Sequence, residues 1–416
     1  MKKMSGFSIH TLGCKLNFSE SSYISNQLIQ SGFHLSDDPD LIIINSCAVT
    51  AAAVKKTRNL TSKLQHQHPD AQIIIIGCYS ELEPQTALQW KGVVQTFGTK
   101  DKINLIEYLK KSTIPEAPYF YPTYSLTDRT RSFLKIQDGC DYHCSYCTVA
   151  RARGESRSDT IENVIQNIQT VANQGIKEVN LTGVNVGDFG RNHGTNLYNL
   201  LLKIEELQLI DRVRISSIEP NLLSKEIVDL IAQSQHLMPH FHLPLQSGSD
   251  TILSEMRRRY NTKMFADKVH YIKEKMPDSC IAVDVITGFP GETDLLFNET
   301  LNFIEQLPIS YLHVFTYSQR PGTPAAIAPY QVEATEKKER TKQLLELSKK
   351  KKKQFYQSQL NKIRAVLFEE INHNNTTLGF TDNYVRVKTA YHDDKVNQII
   401  ETLLTKDMLV YDDPDS

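Results

Sequence analysis

Three apolar runs, Phe7-Ser8-Ile9-His10-Thr11-Leu12, Leu41-Ile42-Ile43-Ile44-Asn45 and Ile73-Ile74-Ile75-Ile76, are each followed within two residues by a cysteine: Cys14, Cys47 and Cys78. Runs of this length and apolarity suit the buried strands of a parallel sheet. The polar stretches between them, 20–31 and 54–66, are long enough for crossover helices, so the opening of the chain reads as a doubly wound α/β unit. In such sheets ligands bind at the carboxyl ends of the strands. Three thiols at equivalent strand ends therefore predict one three-cysteine site built from residues far apart in sequence. Cysteine is also common in apolar cores, and a single such placement would mean little. Cys280, which opens the strand-like stretch 280–286 and has no partner, reads as structural.

A second trio lies in one short loop. Gly139-Cys140-Asp141-Tyr142-His143-Cys144-Ser145-Tyr146-Cys147 gives a C-x3-C-x2-C spacing. Three thiolates hold three corners of a [4Fe-4S] cube, whereas all-cysteine electron carriers use four, so one iron is left open to a ligand. The alternative is a zinc knuckle. Zinc sites usually close with a fourth Cys or His, and His143 lies inside the loop.

Residues 129–326 continue as repeated β-α units, with strand-like runs at 177–181, 212–215, 240–243, 282–286 and 311–315, which suggests a parallel barrel or partial barrel. Its functional residues should lie on the loops after the strands, where 183–188, 216–220, 244–249 and 287–292 all fall. Next comes a charged, helix-compatible stretch in which residues 337–353 carry nine basic residues against two acidic. Two readings of it stand open: a solvated face, or a helix turned toward phosphates. The tail, 361–416, has short strand-like pieces that fit a small β-barrel. With Pro115, Pro118 and Pro122 marking a linker, the expected division is 1–125, 126–358 and 359–416.

With 47 Lys and Arg against 48 Asp and Glu, the formal charge is −1, so no global field drives the chain onto nucleic acid and RNA contact must come from local patches. No apolar run approaches the roughly 18 residues that span a bilayer, and the first residues lack a signal-peptide core. The expectation is a cytoplasmic protein with no membrane partner. Seven cysteines, an odd and dispersed set, argue for ligands rather than a disulfide framework.

These residues together carry a family resemblance. Thr11-Leu12-Gly13-Cys14-Lys15-Leu16-Asn17, Asn45-Ser46-Cys47-Ala48-Val49-Thr50 and Gly77-Cys78 resemble the auxiliary-cluster region of the radical S-adenosylmethionine methylthiotransferases. Residues 139–147 with Arg151-Ala152-Arg153-Gly154 resemble that family's radical-cluster signature. Leu243-Pro244-Leu245-Gln246-Ser247-Gly248-Ser249 and Gly288-Phe289-Pro290-Gly291-Glu292-Thr293 are family-like too, and the tail lies where the family carries its small RNA-binding TRAM barrel. The first motif looks most like the branch acting on N6-threonylcarbamoyladenosine beside the tRNA anticodon.

The resemblance implies two [4Fe-4S] clusters and two S-adenosylmethionines per turnover. Cys14, Cys47 and Cys78 would hold the cluster whose added sulfur is methylated, and Cys140, Cys144 and Cys147 the cluster that generates the radical. An unactivated aromatic C–H position requires such a cofactor. Tyr146, Gly183, Glu219, Gln246, Ile286 and Gly288 are the implied cofactor contacts, the alternative for Glu219 being a helix cap next to Pro220. Arg151, Arg153 and Arg157 would bind either the cofactor carboxylate or the RNA backbone. The short tail holds six basic and ten acidic residues, so its RNA contact would rest on Arg364, Arg386 and Lys388, with Arg129, Arg131, Lys135 and the lysine-rich stretch adding phosphate contacts. The implied partners are a tRNA anticodon stem-loop, an electron donor and a sulfur source, the protein acting as a monomer. Other substrates keep the chemistry: isopentenyladenosine in tRNA, or an aspartate of ribosomal protein S12. A metal-containing RNA-binding protein without activity is the reading outside enzymes.

Overall fold

The computed structural model describes residues 5–113, 120–125, 130–372, 376–390 and 393–411; Pro115, Pro118 and Arg129 lie outside them. The chain opens with a five-stranded parallel sheet, β1 (Gly6–Thr11), β2 (His34–Leu35), β3 (Leu41–Ser46), β4 (Gln72–Gly77) and β5 (Val93–Phe97), in the order β2-β1-β3-β4-β5. The isoleucine runs of β3 and β4 are wholly buried at its centre, as expected of strands covered on both faces. β2 and β5 do not stand out in the sequence: one is a two-residue exposed edge and the other mixes Gln95 and Thr96 into its run.

Helix α1 (Lys15–Gln30) starts well before the expected 20–31, and α2 (Ala51–Gln67) is capped by Thr50, whose hydroxyl accepts from the Ala53 N–H. The early start of α1 escaped sequence reasoning because its first buried turns are polar: Asn17, Ser19, Glu20, Ser21 and Ser22. Glu20 explains them. Its carboxylate is buried between Lys102, Lys135 (3.5 Å) and Arg153 (3.2 Å), while Asp138 takes Arg153 (2.9 Å), Arg157 (3.0 Å) and Lys135 (3.7 Å). This network joins α1 to the strand that follows, β6 (Arg131–Lys135).

Burial pushes the Glu20 carboxyl up, but Arg153, Lys102 and Lys135 outweigh it and hold it at about 2 instead of 4.5. The folded state therefore keeps Glu20 ionised where the unfolded chain protonates it. Its contribution is complete above about pH 4.5 and is lost as pH falls toward 2. Glu20→Gln leaves three buried cations facing a neutral amide. The expected result is a loss of about 3–5 kcal/mol in urea unfolding at neutral pH, with a smaller further loss on acidification than the wild type shows.

Beyond the first sheet, β6 and the short pair β7 (Gln137–Asp138) and β8 (Arg157–Ser158) lead into β9 (Glu178–Thr182), β10 (Arg212–Ile215), β11 (His240–Gln246), β12 (Cys280–Thr287) and β13 (Tyr311–Thr316). Parallel pairing runs β6-β9-β10 and β11-β12-β13, and the parallel bridges Val213↔Leu237 and Ser217↔His242 join the two halves. Among the described residues β6 and β13 do not pair, so the array is a partial barrel, open between its first and last strands. The helix Ala334–Ser358 packs along β13.

The tail forms β14 (Ile363–Asn372), β15 (Thr376–Thr381), β16 (Arg386–Ala390) and β17 (Ile399–Leu403), an antiparallel sheet ordered β16-β15-β14-β17. Two barrel arginines dock it. Arg214 donates to the carbonyls of Asp382 (2.7 Å) and Thr381 (2.8 Å), and Arg212 to those of Ala365 (2.6 Å) and Phe380 (3.2 Å). Cys280 is fully buried and packs with Phe355, Tyr356 and Val366 beneath this sheet. Among the described residues no helix is long and apolar enough to cross a membrane.

Candidate active site

Because β1, β3 and β4 are adjacent and parallel, with Thr11 opposite Asn45 and Asn45 opposite Ile76, their following residues emerge at one sheet edge. Cys14 N-caps α1, Cys47 follows β3, and Cys78 opens α3 (Cys78–Leu82). Two glycines permit this approach. At Gly13, φ +107°, a Cβ would lie 2.8 Å from the Cys47 Cβ; at Gly77, φ +96°, one would lie 2.5 Å from Asn45 Oδ1. Asn17 ties the loops together, donating to the carbonyls of Leu12 (2.8 Å) and Ser46 (3.1 Å) while accepting from Arg153 (2.7 Å). Cys14 is exposed; Cys47 and Cys78 are buried.

The second trio is held by the turn between β7 and β8. Gly139 has φ +71°, and a Cβ there would stand 1.9 Å from the Glu155 carbonyl oxygen, which only glycine tolerates. Each sulfur receives one N–H: Cys140 Sγ from Tyr142 (3.4 Å), Cys147 Sγ from Val149 (3.4 Å) and Cys144 Sγ from the Arg258 guanidinium (3.2 Å). Arg258 also pairs with Glu219 and reaches the hydroxyls of Tyr260 (3.1 Å) and Tyr146 (3.5 Å). Burial pushes the thiols of Cys47 and Cys147 up to about 11 and that of Cys140 up to about 12. They are therefore neutral, and a metal bound there would have to displace their protons.

The spacing of the sulfurs bears on which metal each trio could hold. A tetrahedral zinc would draw its sulfurs to about 3.8 Å from one another. Among the described residues, the His/Cys/Asp/Glu trio whose ligand atoms all lie within 4.8 Å is His242, Asp284 and His313, so both cysteine trios are spread wider. The N–H groups aimed at the sulfurs of the second trio favour the thiolate form there.

The implied cofactor contacts divide. Tyr146 and Ile286 pack with Phe289, Ile252 and Met256 beside the cysteine loop. Glu219 is largely buried against Arg258, and burial pushes its carboxyl up. Gln246 has φ +67°, and its buried Oε1 has no partner. Gly183 lines the main cavity, whereas Gly288, φ +75°, is closed over by Lys337, whose Cγ lies 2.3 Å from where a Cβ would stand. Sequence reasoning missed Arg258; the only signal was the run Arg257-Arg258-Arg259.

The arginines and lysines expected at phosphates are largely committed elsewhere. Arg131 (7% exposed) pairs with Glu369 at the edge of the main cavity, and Lys135 (1% exposed) is enclosed in the Glu20 network. Arg153 and Arg157 belong to that network as well, and Arg151 donates to the Pro321 carbonyl. Arg364 pairs with Asp278 (2.9 Å) and Asp382 (3.2 Å), while Lys388 is exposed. In the lysine-rich helix, Arg340 and Lys351 are buried and structural, but Lys349 and Lys352 line the main cavity.

That cavity, about 1530 Å³, lies between the first sheet, the open side of the barrel and the tail sheet. Cys14 and Lys15 form one wall, Gly183, Ser217 and Asp284 another, and Tyr384 and Arg386 a third.

The radical SAM superfamily model matches residues 134–304, and that of an uncharacterised protein family, UPF0004, matches residues 6–98. The chain is 35% identical to threonylcarbamoyladenosine tRNA methylthiotransferase MtaB of Bacillus subtilis, over 97% of this chain and 94% of that protein. Its identity to MtaB of Aquifex aeolicus is 34%, over 95% and 98%. The tRNA-2-methylthio-N(6)-dimethylallyladenosine synthase of Pelotomaculum thermopropionicum is 32% identical, over 88% and 87%. In fold, the chain is similar to the radical S-adenosylmethionine methyltransferase TsrM of Kitasatospora setae, with a TM-score of 0.58 at 15% identity over 79% of this chain and 77% of that one. The chain belongs to the radical S-adenosylmethionine methylthiotransferase family. It is an enzyme whose superfamily uses a [4Fe-4S] cluster and S-adenosylmethionine.

Proposed function

We propose that this enzyme transfers a methylthio group to carbon 2 of N6-threonylcarbamoyladenosine beside the anticodon of tRNA. The observation that carries the reading is the shared cavity: Cys14, at the edge of the first sheet, and the barrel interior face one space large enough for a nucleoside. The nucleoside in the MtaB relatives' names supports the choice through similarity along nearly the whole chain.

The donor sets fit two clusters. Cys14, Cys47 and Cys78 would hold one, and Cys140, Cys144 and Cys147 the other together with S-adenosylmethionine. When bound, these groups supply the sulfur, the methyl group and the radical needed at an unactivated aromatic carbon. The chain's own residues do the rest. Arg258 orients Glu219 and donates to Cys144 Sγ; Tyr146 and Ile286 form an apolar wall beside the loop; Gln246 offers an unpartnered carbonyl. Arg153 holds the two cysteine loops in fixed relation by reaching from one to Asn17 beside the other. In this reading 1–125 carries the sulfur site, 126–358 the radical site, and 359–416 is a TRAM-like RNA-binding domain assisted by Lys349, Lys352, Arg386 and Lys388. An electron donor and a sulfur source act from outside, and the chain works as a cytoplasmic monomer.

The test is mass spectrometry of tRNA nucleosides from a strain lacking the gene, with and without the intact copy. Disappearance and restoration of methylthio-threonylcarbamoyladenosine alone supports the reading. Unchanged tRNA, or loss of the methylthio-isopentenyl nucleoside instead, contradicts it.

A further inference from the structure

The cavity holds a positive charge that no carboxylate among the described residues answers. Lys15, the residue after Cys14 and the first of α1, is half-buried in the cavity wall; its ammonium lies over the Phe133 ring, 5.9 Å away, and among the described residues it makes no ion pair. The carboxylates of the same cavity are already engaged. Glu369 accepts from Arg131 at 2.6 Å, and Asp284 lies 2.7 Å from His242 Nε2. His240 lines the same cavity, 5% exposed, with both ring nitrogens unpartnered and its ring stacked on Tyr384 at 4.3 Å. Lys15, His240, His313 and Tyr384 line the same cavity. Burial, reinforced by Arg214 and Lys15, holds His240 well below 6.5. A neutral imidazole offers one donor and one acceptor.

We propose that Lys15 and His240 form the subsite for the substituent on the adenine N6, Lys15 taking its carboxylate and His240 its hydroxyl or ureido group. The inference rests on the nucleoside reading above and assigns the residues that enforce it. A threonylcarbamoyl group carries all three functions. Carbon 2 and carbon 6 flank the same ring nitrogen, so the reacting carbon and the substituent lie on one edge of the base. A residue adjacent to Cys14 is therefore well placed to hold the substituent while carbon 2 faces the sulfur site. A neutral hydrocarbon substituent would leave the cation desolvated and unpaired, so the same residues reject it.

The experiment uses the reconstituted full chain and anticodon stem-loops bearing threonylcarbamoyladenosine, its methyl ester, or isopentenyladenosine. For the wild type, the KM of the free acid should be lower than that of the ester by about tenfold to a hundredfold. Lys15→Gln should raise the KM of the acid to that of the ester and leave the ester unchanged, with iron content as in the wild type. Lys15→Arg should keep most of the preference. Equal use of acid and ester by the wild type, or an intact preference in Lys15→Gln, overturns the subsite alone. Activity of the wild type on the isopentenyl loop and not on the acid overturns the nucleoside reading as well.

Discussion

Replacing Cys14 by alanine is expected to abolish methylthio transfer, by at least about a thousandfold, while S-adenosylmethionine cleavage at the Cys140, Cys144 and Cys147 loop continues within a few-fold of the wild type. The two functions separate because the two trios lie on different elements, one on the edge of a parallel sheet and the other in the loop after β7. Cys14 is also the exposed member of its trio, so its loss opens no cavity in the core and should leave stability nearly unchanged. Cys47 and Cys78 are buried and would give less clean variants. The check is paired: methylthiolated nucleoside and 5′-deoxyadenosine measured in the same anaerobic assay. Persistent transfer in Cys14→Ala would remove the sulfur site from this sheet edge. Simultaneous loss of cleavage would show that the trios do not act separately.

The second large effect is expected at Arg258. Its side chain is 3% exposed and joins Cys144 Sγ, Glu219, Tyr260 and Tyr146. Arg258→Ala strips an N–H and a positive charge from beside a cluster sulfur and leaves Glu219 buried without its partner. Breaking such a pair costs about 3–5 kcal/mol, and burial already pushes the Glu219 carboxyl up, so it should take a proton. Loss of a donor to a cluster ligand typically lowers activity about 10–100-fold. Arg258→Lys should restore little, because an ammonium cannot bridge a sulfur and a carboxylate as a planar fork does. Rates of 5′-deoxyadenosine formation and the cluster's midpoint potential test this together. A variant with wild-type rate and potential would make Arg258 a packing residue only.

The sequence disclosed most where a residue type is tied to one place in a fold. The isoleucine runs mark buried parallel strands, and cysteines two residues beyond them fall at the edge where such sheets bind ligands; β3 and β4 appear almost residue for residue. It disclosed least where burial is polar. The first turns of α1 and the two ends of β6, Arg131 and Lys135, carry polar or charged groups into the interior, so no apolar period announces them. Those charges are legible only once Glu20, Lys102, Asp138 and Arg153, distant in sequence, are seen together. For the same reason Lys135, Arg153 and Arg157 read in the sequence as free cations, whereas in the fold they hold the protein together. Arg214 and Arg212, deep in a barrel strand, proved to be the anchors of the tail sheet.

The most direct measurement is the iron, sulfide and zinc content of the anaerobically reconstituted chain beside a Cys14, Cys47 and Cys78 triple-alanine variant. Two open three-thiolate sites require about eight iron and eight sulfide per intact chain and about four of each in the variant, with zinc at background. Four iron in both proteins, or zinc in place of iron, would contradict a second cluster at the edge of the first sheet.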